Sequence, residues 1–118
     1  MSWKNVFGKG QELVLATCSK NCKPHANLVI SLGFIKGKLL IADCQMKSTL
    51  ENLKNTKLVC IIAKKKSEYY RLKGGVKIYS SGKYFDLCNK ISKDYPAKNA
   101  ILVDIKEIFD LDKIRQVL

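Results

Sequence analysis

The residues best suited to chemistry lie where an apolar run at residues 39–42 gives way to a helical pattern. Lys47, Ser48 and Thr49 bring one cation and two hydroxyl donors to this turn. The first backbone N–H groups of a helix lack intrahelical partners and carry the positive end of the helix dipole, so an anion is stabilised there. The pattern predicts a phosphate site. The alternative is an ordinary strand-to-helix turn that carries polar residues.

The same turn contains a helix-start signal. Ser48 and Glu51 have the three-residue spacing of a capping box. In a capping box the serine side chain accepts from the backbone N–H of the glutamate, and the glutamate side chain accepts from the backbone N–H of the serine. This spacing predicts that the helix begins near Thr49.

The single histidine, His25, follows a predicted turn. No nucleophile or orienting carboxylate lies near it in sequence, so we expect an exposed side chain near a hairpin and not a general base. No catalytic residue is assigned from the sequence.

Five cysteines form no metal-binding pattern. Only Cys18 and Cys22 are close together, no second close pair completes a tetrahedral set, and the number is odd. We therefore predict no metal site. We interpret Cys18, Cys44 and Cys60 as small apolar residues in strands or at strand ends, and Cys88 as a helix residue.

The net charge of +12 indicates attraction to anions. Three lysines at 64–66, followed by Tyr69, Tyr70 and Arg71, form a basic patch with aromatic neighbours, as in proteins that bind single-stranded nucleic acid. Only two of the 22 basic residues, Arg71 and Arg115, are arginines. Since arginine is preferred for bidentate phosphate and base contacts, a solvated lysine loop is the alternative interpretation.

Length and hydropathy predict one soluble domain spanning residues 1–118. The chain contains no apolar run near the roughly 20 residues of a membrane span. Its first residues lack the apolar core of a secretory signal, which favours a cytoplasmic protein without membrane contact.

The elements that position the turn are mostly strands. Turn signals separate six β-compatible runs, and helical spacing follows the anion turn and recurs at 84–91, before Pro96. The run at 57–63 is apolar enough to be central and buried on both faces, and Gly74–Gly75 predicts a bulge or bend. The predicted strands are 12–17, 26–35, 39–42, 57–63, 69–80 and 100–105.

Strands and helices do not alternate regularly, which predicts a mainly β fold: a six-stranded antiparallel barrel with two or three short helices. Small barrels bind ligands at their mouths or between subunits. The phosphate turn is therefore expected at such a position.

Four segments occur in an order and spacing that resemble a known family. They are LVLAT at 13–17, KPHANLVIS at 23–31, IAD at 41–43 followed by MKSTLENL at 46–53, and LKG at 72–74. Over residues 8–110 the chain resembles the FMN-binding split-barrel family related to pyridoxamine 5'-phosphate oxidase, particularly its small single-domain members. The barrel predicted above would then be a split barrel.

The resemblance implies that FMN is the cofactor. The family holds the FMN phosphate with a Lys-Thr pair before the first helix, which places the phosphate at Lys47, Ser48 and Thr49. Ser48 stands where the family usually has lysine, and Lys47 lies one place earlier. A lysine side chain is long enough to reach a phosphate from the neighbouring position.

The resemblance also implies contacts with the flavin ring and ribityl chain. The candidates are Val29 and Ser31 on one strand, Ala42 and Asp43 on the next, and Asn52 on the first helix. Asp43 equally fits the end of a strand. For Val29 ordinary strand packing is the favoured interpretation, and for Asn52 a polar group on the helix surface is.

Family members usually form homodimers with the flavin at the interface. The resemblance thus implies an FMN-binding flavoprotein, either an oxidoreductase of unidentified substrate or a flavin or electron carrier. Without an arginine cluster for pyridoxal phosphate, pyridoxamine-phosphate oxidase activity is not expected. The alternatives are a basic barrel that binds single-stranded nucleic acid, and a barrel of this fold that binds another planar cofactor, such as haem or the deazaflavin coenzyme.

Overall fold

In the computed structural model, residues 3–44, 46–92 and 95–118 are described. Alternating apolar residues produce long strands, and helical spacing produces two nine-residue helices. The elements in chain order are α1 (Trp3–Val6), β1 (Glu12–Cys18), β2 (Pro24–Ile35), β3 (Lys38–Asp43), α2 (Ser48–Thr56), β4 (Leu58–Lys65), β5 (Glu68–Tyr79), α3 (Lys83–Ile91), β6 (Asn99–Asp110) and β7 (Arg115–Gln116).

The strands form an antiparallel sheet in the order β3-β2-β1-β4-β5-β6, with β7 added beyond β6. Pairing of β3 with β6, from Leu39 opposite Val103 to Asp43 opposite Asn99, closes the first six strands into a barrel. The predicted mainly β, six-stranded antiparallel barrel is therefore confirmed.

The barrel interior is filled by its own side chains. Leu13, Leu15, Ile61 and Leu72 are fully buried on the inward faces of their strands, together with Ile101. A second apolar cluster lies where α3 covers β3 and β6. Among the described residues, no helix is long and apolar enough to span a membrane.

The prediction that the fourth strand is buried on both faces is wrong for the single chain. Val59, Ile61 and Ala63 point inward, but Leu58 is 65% exposed and Ile62 is 43% exposed. The sequence run is continuous because the outward residues are apolar too. The strand is central, as predicted, between β1 and β5.

The predicted bend at Gly74 is present as a register shift between Lys73 and Gly74. A Cβ atom at Gly74 would overlap the carbonyl oxygen of Asp104, so β5 and β6 approach too closely for a side chain. The last strand differs from prediction: β6 continues to Asp110, five residues past the predicted end. Helix α1 and strand β7 were not predicted.

The cysteines lie where the sequence indicates. Cys18 ends β1, Cys60 lies in β4, Cys44 follows β3 and Cys88 is buried in α3. All five thiols are free. Within the described ranges, no group of three or more His, Cys, Asp or Glu residues is placed to hold a metal ion.

Candidate functional site

The wall of the barrel opens between β2 and β3. Strand β2 pairs with β1 from Pro24 to Ile30, but it pairs with β3 only from Ser31 onward. Beyond Ile41, β3 continues alongside β6. In the described structure the edge of β2 from 24 to 30 that faces away from β1 therefore has no strand partner, and it presents backbone donors and acceptors.

A cavity of about 520 Å³ lies in this opening. Asn27 and Val29 line it from β2, and Ala42 and Cys44 line it from the end of β3. The start of α2 closes one end, and Tyr95 lies at another side. The cavity therefore combines apolar walls with an unpaired strand edge.

Helix α2 begins at Ser48, one residue earlier than predicted. The predicted capping box is wrong: Lys47 occupies the position before the first helical residue, and no side chain caps it. Because Ser48 is already helical, its hydroxyl is not in the capping position. Within the described ranges, no side chain accepts from the N–H groups of the first turn of α2, which suits an anion.

The side chains of α2 divide between two spaces. Lys47 and the buried Thr49 line the cavity. Ser48 and Asn52 line a second, polar space of about 410 Å³, which we call the hairpin groove. It lies between residues 19–25 and one face of α2. The hairpin groove is lined by Ser19, Lys20, Asn21, Lys23, Pro24, His25, Ser48, Glu51, Asn52 and Asn55.

Two hydrogen bonds hold α2 on the strands. The Thr49 hydroxyl donates to Oδ1 of Asn27 at 2.7 Å, and Nδ2 of Asn52 donates to the Thr17 hydroxyl at 3.0 Å. Asn27 was not among the predicted site residues. Its only sequence signal is a polar side chain two positions before Val29, on the same face of the strand.

Two further predicted site residues, Ser31 and Asp43, line neither the cavity nor the hairpin groove. The fully buried Ser31 hydroxyl donates to the carbonyl of Phe7 at 2.7 Å and accepts from the N–H of Gly33 at 3.0 Å. Asp43 accepts from the N–H of Met46 at 2.8 Å and from Nδ2 of Asn99 at 2.7 Å. These side chains shape the strands and the turn before α2. Of the eight predicted residues, Val29, Ala42, Lys47 and Thr49 line the cavity.

The ionisable groups among the described residues that line the cavity are those of Lys47, His25, Cys44 and Tyr95. Burial, followed by the nearby Asp43 carboxylate, raises the pKa of the Cys44 thiol. The Cys44 thiol donates to the carbonyl of Tyr95 at 3.4 Å. It is therefore protonated at neutral pH and is not poised as a nucleophile.

The basic patch of the nucleic-acid alternative offers little stacking surface. Tyr70 is buried, and its hydroxyl donates to Glu68. The Lys64 ammonium lies over the ring of Tyr69, 5.0 Å from its centroid. Arg71 lies over Phe109 and near Glu107.

Next to the cavity, the outer surface of three strands is apolar. The residues Leu28, Val14 and Ile62 are paired in one row across β2, β1 and β4, and all three are exposed. We call this the apolar sheet face; Ile30 and Leu58 extend it. Leu28 and Ile30 also line the cavity, so the two features are continuous.

Comparison with known proteins identifies the fold. No family model and no curated protein matches the chain. Among solved structures, Group A Streptococcus HupZ superposes with a TM-score of 0.88 at 15% identity, over 100% of both chains. An FMN-binding protein from Syntrophomonas wolfei gives 0.79 at 18%, over 92% of this chain and 82% of that one.

A putative pyridoxamine 5'-phosphate oxidase from Lactobacillus delbrueckii gives a TM-score of 0.76 at 18% identity, over 92% of this chain and 93% of that one. The likeness to these structures establishes the split-barrel fold of FMN-binding and pyridoxamine 5'-phosphate oxidase-related proteins. The predicted resemblance in fold is confirmed.

Proposed function

We propose that this split-barrel chain is a flavoprotein that binds FMN in the opening between β2 and β3. One observation carries the proposal: the unpaired edge of β2 and the uncapped start of α2 face the same cavity. A planar ring with a polar edge suits the strand edge, and a phosphate suits the helix start. Solved structures of the same fold include FMN-binding proteins, which supports this choice.

The cavity has the size and lining for such a ligand. Its volume of about 520 Å³ falls within the roughly 300–1,000 Å³ typical of small-molecule sites. Val29 and Ala42 would contact the ring, and backbone groups of β2 would meet its polar edge. Asn27 adds a side-chain amide beside them.

The phosphate would lie at the start of α2. Lys47 is the cation that lines the cavity at this end, and Thr49 lies beside it. Ser48 projects into the adjoining hairpin groove, so its hydroxyl would reach the phosphate from that side. The positive end of the helix dipole acts in the same direction as the Lys47 charge.

When bound, the flavin supplies one- or two-electron redox chemistry, and the protein supplies binding and exclusion of water. We propose an oxidoreductase or an electron carrier. A cytoplasmic location fits the five free thiols.

We further propose that a second copy of the chain covers the apolar sheet face. Leu28 is 63% exposed and belongs to both this face and the cavity wall. Burying the face in a symmetric pair removes apolar surface from water, and it closes the outer side of the cavity at the same time. The cofactor would then lie at the subunit interface.

Absorbance of the purified protein, followed by titration of the apoprotein with FMN and riboflavin, tests the proposal. Lys47→Ala is expected to weaken FMN binding about tenfold or more, because a charge-assisted hydrogen bond to phosphate contributes roughly 1.5–3 kcal/mol. Riboflavin binding should change little, since riboflavin carries no phosphate.

Lys54→Ala is the matched control, because Lys54 is exposed in the last turn of the same helix. Lys54→Ala should leave the affinity for FMN and for riboflavin unchanged. Equal losses for FMN and riboflavin in Lys47→Ala would contradict the phosphate assignment.

A further inference from the structure

The hairpin groove lies directly beside the proposed flavin cavity. His25 lines both spaces. Along α2, Thr49 faces the cavity, whereas Ser48 and Asn52 face the groove. A ligand that reaches the start of α2 from the cavity can therefore extend into the groove without leaving the protein surface.

The chemistry of the groove differs from that of the cavity. Its lining is dominated by hydroxyl, amide and charged side chains. Lys20 and Lys23 contribute two positive charges from the β1–β2 turn, and Glu51 contributes the one carboxylate among the described residues of the lining. An excess of positive charge among hydrogen-bonding groups selects a polar anion.

Most of these polar groups are available to a ligand. Two are committed: the Ser19 hydroxyl accepts from the N–H of Lys23 at 3.1 Å, and Asn52 donates to Thr17. Among the described residues, the side chains of Lys20, Ser48 and Asn55 make no hydrogen bond or ion pair.

The turn holds its two lysines in a defined arrangement. The N–H of Ser19 donates to the carbonyl of Lys23 at 3.0 Å, and the N–H of Cys22 donates to the carbonyl of Ser19 at 2.9 Å. Cys22 adopts a positive φ of 65°. These backbone bonds fix the loop opposite α2, so the groove is formed before any ligand arrives.

We infer that the hairpin groove binds a phosphate ester other than the phosphate of FMN. Lys20 and Lys23 bind the phosphate oxygens, and Asn55 binds a neighbouring hydroxyl or phosphate group. The chemistry has two possible sources. One is the outer phosphate of a dinucleotide flavin, and the other is a separate phosphorylated substrate or electron donor.

The location of this site next to a flavin rests on the proposed function, whereas its phosphate chemistry does not. The first test therefore uses inorganic pyrophosphate and the flavin-free protein, with binding measured by calorimetry at about 0.15 M salt to screen distant charges. The Lys20→Ala/Lys23→Ala variant is expected to weaken pyrophosphate binding at least tenfold.

A control of equal charge is Lys64→Ala/Lys65→Ala, at the end of β4. It should change pyrophosphate affinity less than twofold. Asn55→Leu, which leaves the net charge unchanged, should weaken pyrophosphate binding severalfold. Absence of pyrophosphate binding to the unaltered protein, or equal losses in the two double variants, would overturn the inference.

Flavins distinguish the two sources. If Lys20→Ala/Lys23→Ala weakens the binding of FAD about tenfold but the binding of FMN less than threefold, the groove binds the outer phosphate of the dinucleotide flavin. If FMN-saturated protein binds pyrophosphate with the same dependence on the two lysines, the groove receives a separate phosphorylated ligand. If the double variant loses as much affinity for FMN as for pyrophosphate, the groove binds the FMN phosphate itself, and the inference is overturned.

The two proposals fail separately. A protein that binds pyrophosphate through Lys20 and Lys23 but binds no flavin supports the groove and contradicts the flavin cavity. All three variants alter side chains outside the buried core, and circular dichroism checks that each is folded.

Discussion

The Thr49 hydroxyl donates to the side-chain oxygen of Asn27 across 2.7 Å, joining the first turn of α2 to the unpaired part of β2. Thr49 is almost completely buried. This single bond sets the distance between the two surfaces that face the cavity, the helix start and the strand edge.

Replacing Thr49 with valine removes the hydroxyl while keeping the shape of the side chain. We expect Thr49→Val to lower the free energy of unfolding by about 1–2 kcal/mol, because the Asn27 oxygen loses its protein donor. Urea denaturation measures the change. Thr49→Ser keeps the hydroxyl and should retain more of the stability; equal losses in the two variants would assign the effect to packing.

Gly74 is required by the close approach of β5 and β6. Gly74→Ala should destabilise the protein by about 2 kcal/mol or more, because the added methyl group meets the backbone of Asp104 and not a movable side chain. At Gly75 the nearest atom to an added Cβ is the Lys57 carbonyl oxygen at 3.5 Å, an ordinary contact. Thermal unfolding of Gly75→Ala should therefore resemble that of the unaltered protein, and an equally large loss there would refute the steric explanation.

The proposed dimer predicts a specific effect at Leu28. Leu28→Glu places a charge on the apolar sheet face at the side next to the cavity, where burial without a partner is unfavourable. We expect the unaltered protein to have twice the chain mass of 13.3 kDa in light scattering and Leu28→Glu to be monomeric. Ile114→Glu is the control, since Ile114 is exposed beyond β6, away from that face. A monomeric unaltered protein contradicts the proposal.

Burial raises the pKa of the Cys88 thiol from 9.0 to about 11. The folded state therefore holds this proton more tightly than the unfolded state does. The resulting stabilisation is complete below pH 9 and is lost as the pH rises from 9 to 11. We expect the stability difference between the unaltered protein and Cys88→Ala to shrink by about 1–2 kcal/mol over this interval. Urea unfolding at pH 8 and pH 10.5 measures it, and a constant difference would show that Cys88 does not titrate there.

The sequence predicts the positions of the six strands along the chain and the bend at Gly74, because these depend on local signals: apolar runs, turns and glycines. Side-chain direction depends on more than local signals. Ser48 is the first residue of α2, so Ser48 and Thr49 line different spaces. The position at which the helix begins depends on how it packs on β1 and β2, which the local sequence does not determine.

Ser31 and Asp43 illustrate the same limit. Their partners, Phe7 and Asn99, are distant in sequence, so no local pattern indicates that their polar atoms are already committed. The sequence does not indicate the role of Asn27, because the run at 26–35 is apolar on both faces. The pattern therefore does not show that Leu28 faces outward and Val29 faces inward.

The pairing of β3 with β6 also bears on how the chain folds. It joins residues 39–43 to residues 99–103, so this side of the barrel forms through contacts of high sequence separation, which are slow to form. The end of β3 that lines the cavity is held in place only when β6 has paired with it. Flavin affinity would therefore report the folding of nearly the whole chain, although every residue proposed to bind the flavin precedes residue 53.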